Sequence, residues 1–219
     1  LMAIGTYDEL QAAIANWLDR DDLGLPPGGT PGDPTRITEF ISLAEARFNR
    51  ILRLRSMEAK QTASTVAGQR NYALPADYIQ MRNFQINTSP LTVLSYVTPE
   101  IYDRLWGGSQ GGTPKFYTIL ADEISLGPIP GSVMTLEMLF YKRFTNLSTS
   151  NVSNWLLTYA PDVYLYASML EAEPFIMNDA RIPVWSQALQ QAITDLQEQD
   201  NKDRHSGSAL RVMNTSGYM

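Results

Sequence analysis

The sequence predicts an α+β protein in which helices from both ends of the chain form a bundle and a small antiparallel β-sheet module is inserted between them. Three observations carry that expectation. Residues 154–204 read as two consecutive helices, 161–176 and 179–203, interrupted only at Pro174 and at the Asn178-Asp179 pair. A helical period of comparable regularity recurs only near the other end, from Thr35 onward. Between these ends, β-branched and aromatic residues alternate with polar ones in short runs separated by turn-forming residues, the period of half-buried strands rather than helices. The expected division is 1–57 with 154–204 for the bundle, 58–153 for the β module with one short helix, and 205–219 for an extended C-terminal tail.

The first helix starts at a capping box. Thr6 precedes Glu9 by three residues, so each side chain can satisfy the other residue's backbone N–H. Tyr7, Leu10, Ile14, Trp17 and Leu18 then line one face, and Asp19-Arg20-Asp21-Asp22 ends the helix. Residues 25–34 hold four prolines and three glycines, which excludes a helix or a central strand and predicts a loop. That loop reads as a surface connection or, more sharply, as a partner contact.

From Thr35 to Met57, apolar residues fall at Ile37, Phe40, Ile41, Ala44, Phe48, Ile51 and Leu52. This spacing predicts one long helix with Arg47, Arg50 and Arg53 on or beside its outer face. The simpler reading of the arginines is a solvated face. The alternative is contact with carboxylates of a neighbouring subunit, for which the bidentate guanidinium is well suited.

Four groups of strand-like residues follow: Thr62, Ser64 and Val66; Tyr78 through Ile86; Phe116 through Leu126; and Val133 through Tyr141. Ala67-Gly68, Asn87-Thr88-Ser89-Pro90, Asp122-Glu123 and 128–132 are the turns between them, rich in residues that accept or preset turn dihedrals. Thr98-Pro99-Glu100 opens a short helix, with Pro at its first position and an acid in its first turn. Its Ile101, Leu105 and Trp106 are expected to cover one sheet face. The glycine-rich 107–113 lacks the Lys-Ser or Lys-Thr step of a phosphate cradle.

In the last helix, Trp185, Ala188, Leu189, Ala192, Ile193 and Leu196 form one stripe, while Gln190, Gln191, Asp195, Gln197 and Glu198 fill the other face. Such a helix draws most of its stability from what it packs against. In the tail, Leu210-Arg211-Val212-Met213 reads as a segment that orders on a partner, or as part of a frayed terminus.

Composition narrows the function classes. With 44% hydrophobic and 18% charged residues the 219-residue chain can bury a real core. A net charge of −6 opposes tight binding to phosphates, which relies on Lys and Arg with counterion release. No cysteine is present, which removes disulfides, thiolate metal sites and cysteine nucleophiles together. No apolar run approaches bilayer length and no signal-like start is visible, so the chain is expected to be soluble and made in the cytoplasm.

No catalytic, cofactor or metal motif emerges. The one histidine, His205, has no Asp or Ser arranged around it. Glu171 and Glu173 stand two positions apart on a helix and cannot face one substrate atom. Asp19, Asp21 and Asp22 lack the order and closing Glu of a calcium loop. Trp155, Tyr159, Tyr164 and Tyr166 lack the interleaved cations of a base-stacking surface.

Several runs together resemble the adaptor, or head-to-tail connector, proteins of tailed bacteriophages. They are Tyr7-Asp8-Glu9-Leu10-Gln11-Ala12-Ala13-Ile14 leading to Trp17-Leu18, Ala44-Glu45-Ala46-Arg47-Phe48-Asn49-Arg50, and Leu74-Pro75-Ala76-Asp77-Tyr78. Asn154-Trp155-Leu156-Leu157, Pro161-Asp162-Val163-Tyr164-Leu165-Tyr166, Glu173-Pro174-Phe175 and the Ser206-Gly207-Ser208 tail continue in the same order. The resemblance implies a non-enzymatic virion protein, made in the host bacterial cytoplasm and placed in the neck. It implies a homo-oligomeric, twelvefold ring under the portal protein, joined to a downstream tail or neck protein, with DNA passing through a central channel unbound and with no membrane or cofactor involved. Within that reading, Arg47, Arg50 and Arg53 are candidate subunit contacts, and Leu210, Arg211, Val212 and Met213 candidate portal contacts. The competing readings are a tail-tube or tail-terminator subunit, against which the long terminal helices count, and a small-ligand-binding α+β protein.

Overall fold

The computed structural model describes residues 4–19, 23, 36–108, 111–176 and 180–204. The protein is α+β and divides into two compact units: a helical unit, Leu1–Ser56 with Phe144–Met219, and a β unit, Met57–Arg143.

The helical unit is built on α5 (Pro161–Ile176), against which α1 (Tyr7–Leu18), α2 (Arg36–Ile51), α4 (Trp155–Tyr159) and α6 (Ile182–Arg204) all pack. Seven residues of α5 are buried, Val163, Tyr164, Leu165, Ala167, Ser168, Met169 and Ala172. They occupy most of its circumference, as expected of a helix enclosed by others. Pro174 lies inside α5 without ending it, because it removes an amide only in the final turn, two residues before the helix stops. The partners of α5 are amphipathic. Tyr7, Leu10, Ile14 and Leu18 are the buried stripe of α1, and Trp185, Leu189 and Ile193 that of α6. The capping box at α1 is formed, with Glu9 N–H donating to Thr6 Oγ1 at 3.3 Å and Thr6 N–H to Glu9 Oε2 at 3.0 Å. The Gly5 N–H, donating to Glu9 Oε2 at 2.9 Å, and the hydrogen bonds of Thr6 hold the Glu9 carboxyl below its usual range.

Several expectations change here. The helix from Thr35 does not reach Met57: α2 stops at Ile51, and Arg55–Met57 is a 3-10 turn. Arg53 folds back and donates to the carbonyls of Asn49 and Leu52, satisfying acceptors that a continuing helix would use. Once the helix ends, Leu52, Leu54 and Met57 enter the core, while Ile51 remains 47% exposed. Trp17 is also 46% exposed, meeting Tyr166 edge-on at 6.1 Å. The last helix begins at Ile182 rather than Asp179, and Asn154 caps a separate short helix, α4, by accepting from Leu157 N–H at 3.0 Å. Asp21 and Asp22, the expected 25–34 loop, Asn178-Asp179, His205 and the expected 205–219 tail lie outside the described residues.

The β unit holds a four-stranded antiparallel sheet in the order β1 (Glu58–Ser64), β10 (Thr135–Lys142), β3 (Tyr78–Ile86), β4 (Thr92–Val93). A second sheet runs β2 (Asn71–Ala73), β8 (Glu123–Gly127), β7 (Phe116–Leu120), β5 (Ser95–Tyr96). The second sheet is not purely antiparallel, since β5 pairs with β7 in parallel, and β6 (Gly111–Gly112) with β9 (Ile129–Pro130) forms a separate, parallel two-stranded sheet. Alternate residues of both sheets, among them Phe84, Ile86, Tyr117, Ile124, Leu126, Leu136, Met138 and Phe140, form one core, the period-two pattern read from sequence. On the outer face of the first sheet, Lys60 Nζ pairs with Glu137 Oε2 at 2.9 Å, Gln85 Nε2 donates to Glu137 Oε1 at 2.7 Å, and Arg82 pairs with Glu58.

The short helix α3 (Pro99–Trp106) lies against β7 as expected, but with a different face inward. Ile101 and Leu105 are exposed at 39% and 51%, whereas Tyr102 is buried and Trp106 stacks on Phe116 at 4.9 Å. The reason is polar as much as apolar. Tyr102 O–H donates to the Leu126 carbonyl at 2.8 Å, which an aliphatic residue at that position leaves unanswered. Gly127 makes room for both rings, since a Cβ there would lie 2.9 Å from Trp106 Cδ2 and 3.0 Å from Tyr102 Cε2. Gly127→Ala is therefore expected to cost about 1–3 kcal/mol through overpacking. Urea unfolding followed by circular dichroism measures it, and a midpoint equal to wild type would mean that α3 is not locked in place.

Candidate functional site

The described residues contain no group of three or more His, Cys, Asp or Glu side chains able to hold a metal. What they do contain is a buried polar network in the helical unit. Glu45, on the inner side of α2, is 1% exposed. Its Oε1 accepts from Leu147 N–H at 2.7 Å and from Tyr164 O–H at 3.0 Å. Asn154 extends the network, donating through Nδ2 to Tyr164 Oη at 2.7 Å and to the Thr145 carbonyl at 3.2 Å. Residues 144–154 are thereby tied to α2 and α5, and the Tyr7 N–H to the Val152 carbonyl, 2.7 Å, ties them to α1.

Desolvation pushes the Glu45 carboxyl up to about 7, with the two donated hydrogen bonds pulling the other way. Burial also raises the Tyr164 hydroxyl, and the nearby Glu45 charge raises it further. No cation appears among the causes acting on Glu45. With its Oε1 occupied by two donors and almost no exposure, Glu45 organises a connection and has no route to a substrate. The sequence holds a signal for it: position 45 falls four residues after Ile41 and three before Phe48, on the apolar stripe of α2.

A second polar cluster joins the 3-10 turn to the end of α6. Arg55 N–H donates to Asp200 Oδ1 at 2.8 Å, Arg55 Nη1 to the Asp203 carbonyl at 3.1 Å, and Arg204 Nε to Asp200 Oδ2 at 2.7 Å. Beside it lies a cleft of about 250 Å³ walled by Leu54, Trp155, Tyr159 and Leu196. Its charges are already paired with one another, so it presents no uncompensated charge to a ligand.

The three arginines singled out by sequence meet different fates. Arg47 Nη1 pairs with Glu171 Oε1 of its own chain at 3.0 Å. Arg53 caps the end of α2. Arg50 is exposed and has no ion-pair partner among the described residues. The candidate portal contacts Leu210, Arg211, Val212 and Met213 lie outside the described residues. Exposed apolar side chains include Leu43 and Ile51 on α2, Tyr159 at 77% and Val184 at 66% in the helical unit, and Leu91, Val93, Tyr96 and Val133 in the β unit.

These features, two helix-bounded polar lashings and scattered exposed apolar side chains without a reactive cluster, fit a protein that works through its surfaces. The family model described as SU10 adaptor protein matches residues 5–213. The chain belongs to the SU10 adaptor protein family. A comparison with curated proteins gives no match. The family match runs through both units, so the adaptor assignment covers the helices and the β strands alike. Membership makes the adaptor a structural protein of bacteriophage that interacts with other virion proteins. Among the described residues, no helix of the adaptor is long and apolar enough to cross a membrane.

Proposed function

We propose that the adaptor assembles into a closed, twelvefold ring beneath the portal protein and joins the head to a downstream tail or neck protein, without catalysing a reaction. The family match over residues 5–213 carries this reading. The genome passes through the central channel of the ring. Charge agrees with that role: at −6 per chain, a channel wall repels phosphates and does not hold DNA in transit. Arg50 contributes to the junction between copies, and residues 210–213 contact the portal. A closed ring of this kind is heterologous, so each copy presents two different and complementary surfaces.

Light scattering on a sizing column tests the reading. The purified protein, alone and mixed with its portal, is expected to give a defined multiple of the chain mass that co-elutes with portal. A chain lacking 206–219 is expected to lose the co-elution. A mass of one or two chains, indifferent to portal, overturns the ring; unchanged docking of the truncated chain overturns the assignment of the tail.

A further inference from the structure

The outer sides of α2 and α6 carry matching patterns. On α2, Leu43 is 52% exposed, and Ala46 and Arg50 are exposed. On α6, Gln191, Asp195 and Glu198 are exposed, with Ala188 half-buried one turn before them. Positions 43, 46 and 50 and positions 188, 191 and 195 share the same steps of three and four residues, so each set occupies one helix face. Both helices pack on α5 and make little contact with each other. Among the described residues these are two separate faces, one ending in the Arg50 guanidinium and the other in the Asp195 carboxylate.

We infer that the outer face of α2 in one copy packs against the outer face of α6 in the next copy, with Arg50 paired to Asp195 of that neighbour. This rests on the ring proposed above and names its junction. With the two helices running in the same direction, Leu43 lies over the small Ala188, Ala46 beside Gln191 and Arg50 opposite Asp195. Gln191 Nε2 donates to Asp195 Oδ1 at 2.7 Å, which orients the carboxylate and leaves its other oxygen to a guanidinium. Copies that each carry −6 repel one another, so a junction that brings opposite charges together offsets the repulsion where it is strongest and fixes the register. Arg47, already paired with Glu171, takes no part.

The chain has no cysteine, so Ala46→Cys and Gln191→Cys place its only two thiols at positions that the packing sets against each other. Under mild oxidation, the doubly substituted chain is expected to give a ladder of disulfide-linked copies, while each single substitution gives at most linked pairs. Charge reversal provides the second measurement. Arg50→Glu or Asp195→Arg alone should raise the concentration needed for assembly about tenfold or more, and the two together should restore it. Circular dichroism melts unchanged from wild type separate loss of assembly from loss of folding. If the native chain assembles but gives no ladder, or if the paired reversal assembles no better than the single ones, the α2–α6 junction is wrong while the ring stands. If the native chain never assembles, alone or with portal, the ring itself is wrong and the junction falls with it.

Discussion

Raising the pH from 5 to 8 is expected to weaken the helical unit, and Glu45→Gln is expected to remove most of that dependence. Glu45 is an acid whose pKa in the folded protein lies above its ordinary value, at about 7 rather than 4.5. The folded state therefore holds this proton more tightly than the unfolded state. Its contribution is most favourable below about pH 4.5, declines as pH rises toward 7, and levels off beyond, where both states are ionised. A shift of this size corresponds to about 3 kcal/mol across the window, a large share of a typical domain's stability. The physical source is a carboxylate buried with two hydrogen-bond donors and no cation. Two donors offset only part of the desolvation cost of the charge. Gln keeps an acceptor for the Leu147 N–H and the Tyr164 O–H but cannot ionise, so at pH 8 the variant should unfold at higher urea than wild type. Equal pH slopes for the two proteins would show that Glu45 is not the titrating group.

Phe84→Ala should cost about 3–5 kcal/mol and should unfold the β unit first. Phe84 is 2% exposed, sits between the two sheets, and meets Tyr117 edge-on at 5.1 Å. Truncating it loses the transfer energy of the ring, leaves a cavity and removes the aromatic contact. The sequence contains four tryptophans, of which Trp106 alone lies in the β unit. Fluorescence of a chain that retains only this tryptophan would follow that unit selectively. Tyr96→Ala is the control, because Tyr96 is 54% exposed and should change stability little. A Phe84→Ala loss no larger than the control's would place the centre of the β core elsewhere.

The sequence by itself determined a great deal here: the α+β class, the capping box at Thr6, the stripes of α1 and α6, the four strand groups, the Pro-initiated α3 and the adaptor family. The family rests on a resemblance spread over many runs in order; the other features follow from local chemistry. A cap, a turn residue or an apolar period acts over one or two turns and leaves its mark in adjacent letters. The tertiary structure decided the rest. Arg53 folding onto its own helix end stopped α2 at Ile51, and a hydroxyl in reach of the Leu126 carbonyl turned Tyr102 inward in place of Ile101. Arg47 and Arg50, three residues apart and similar in sequence, were separated by whether a partner on α5 lay within reach. Glu45 shows the limit most clearly. Periodicity places it on the buried stripe of α2, but only groups 102 and 119 residues further along the chain supply the hydrogen bonds that let it remain there. Where a polar group goes depends on which donors the rest of the fold brings to it, and that information is not local.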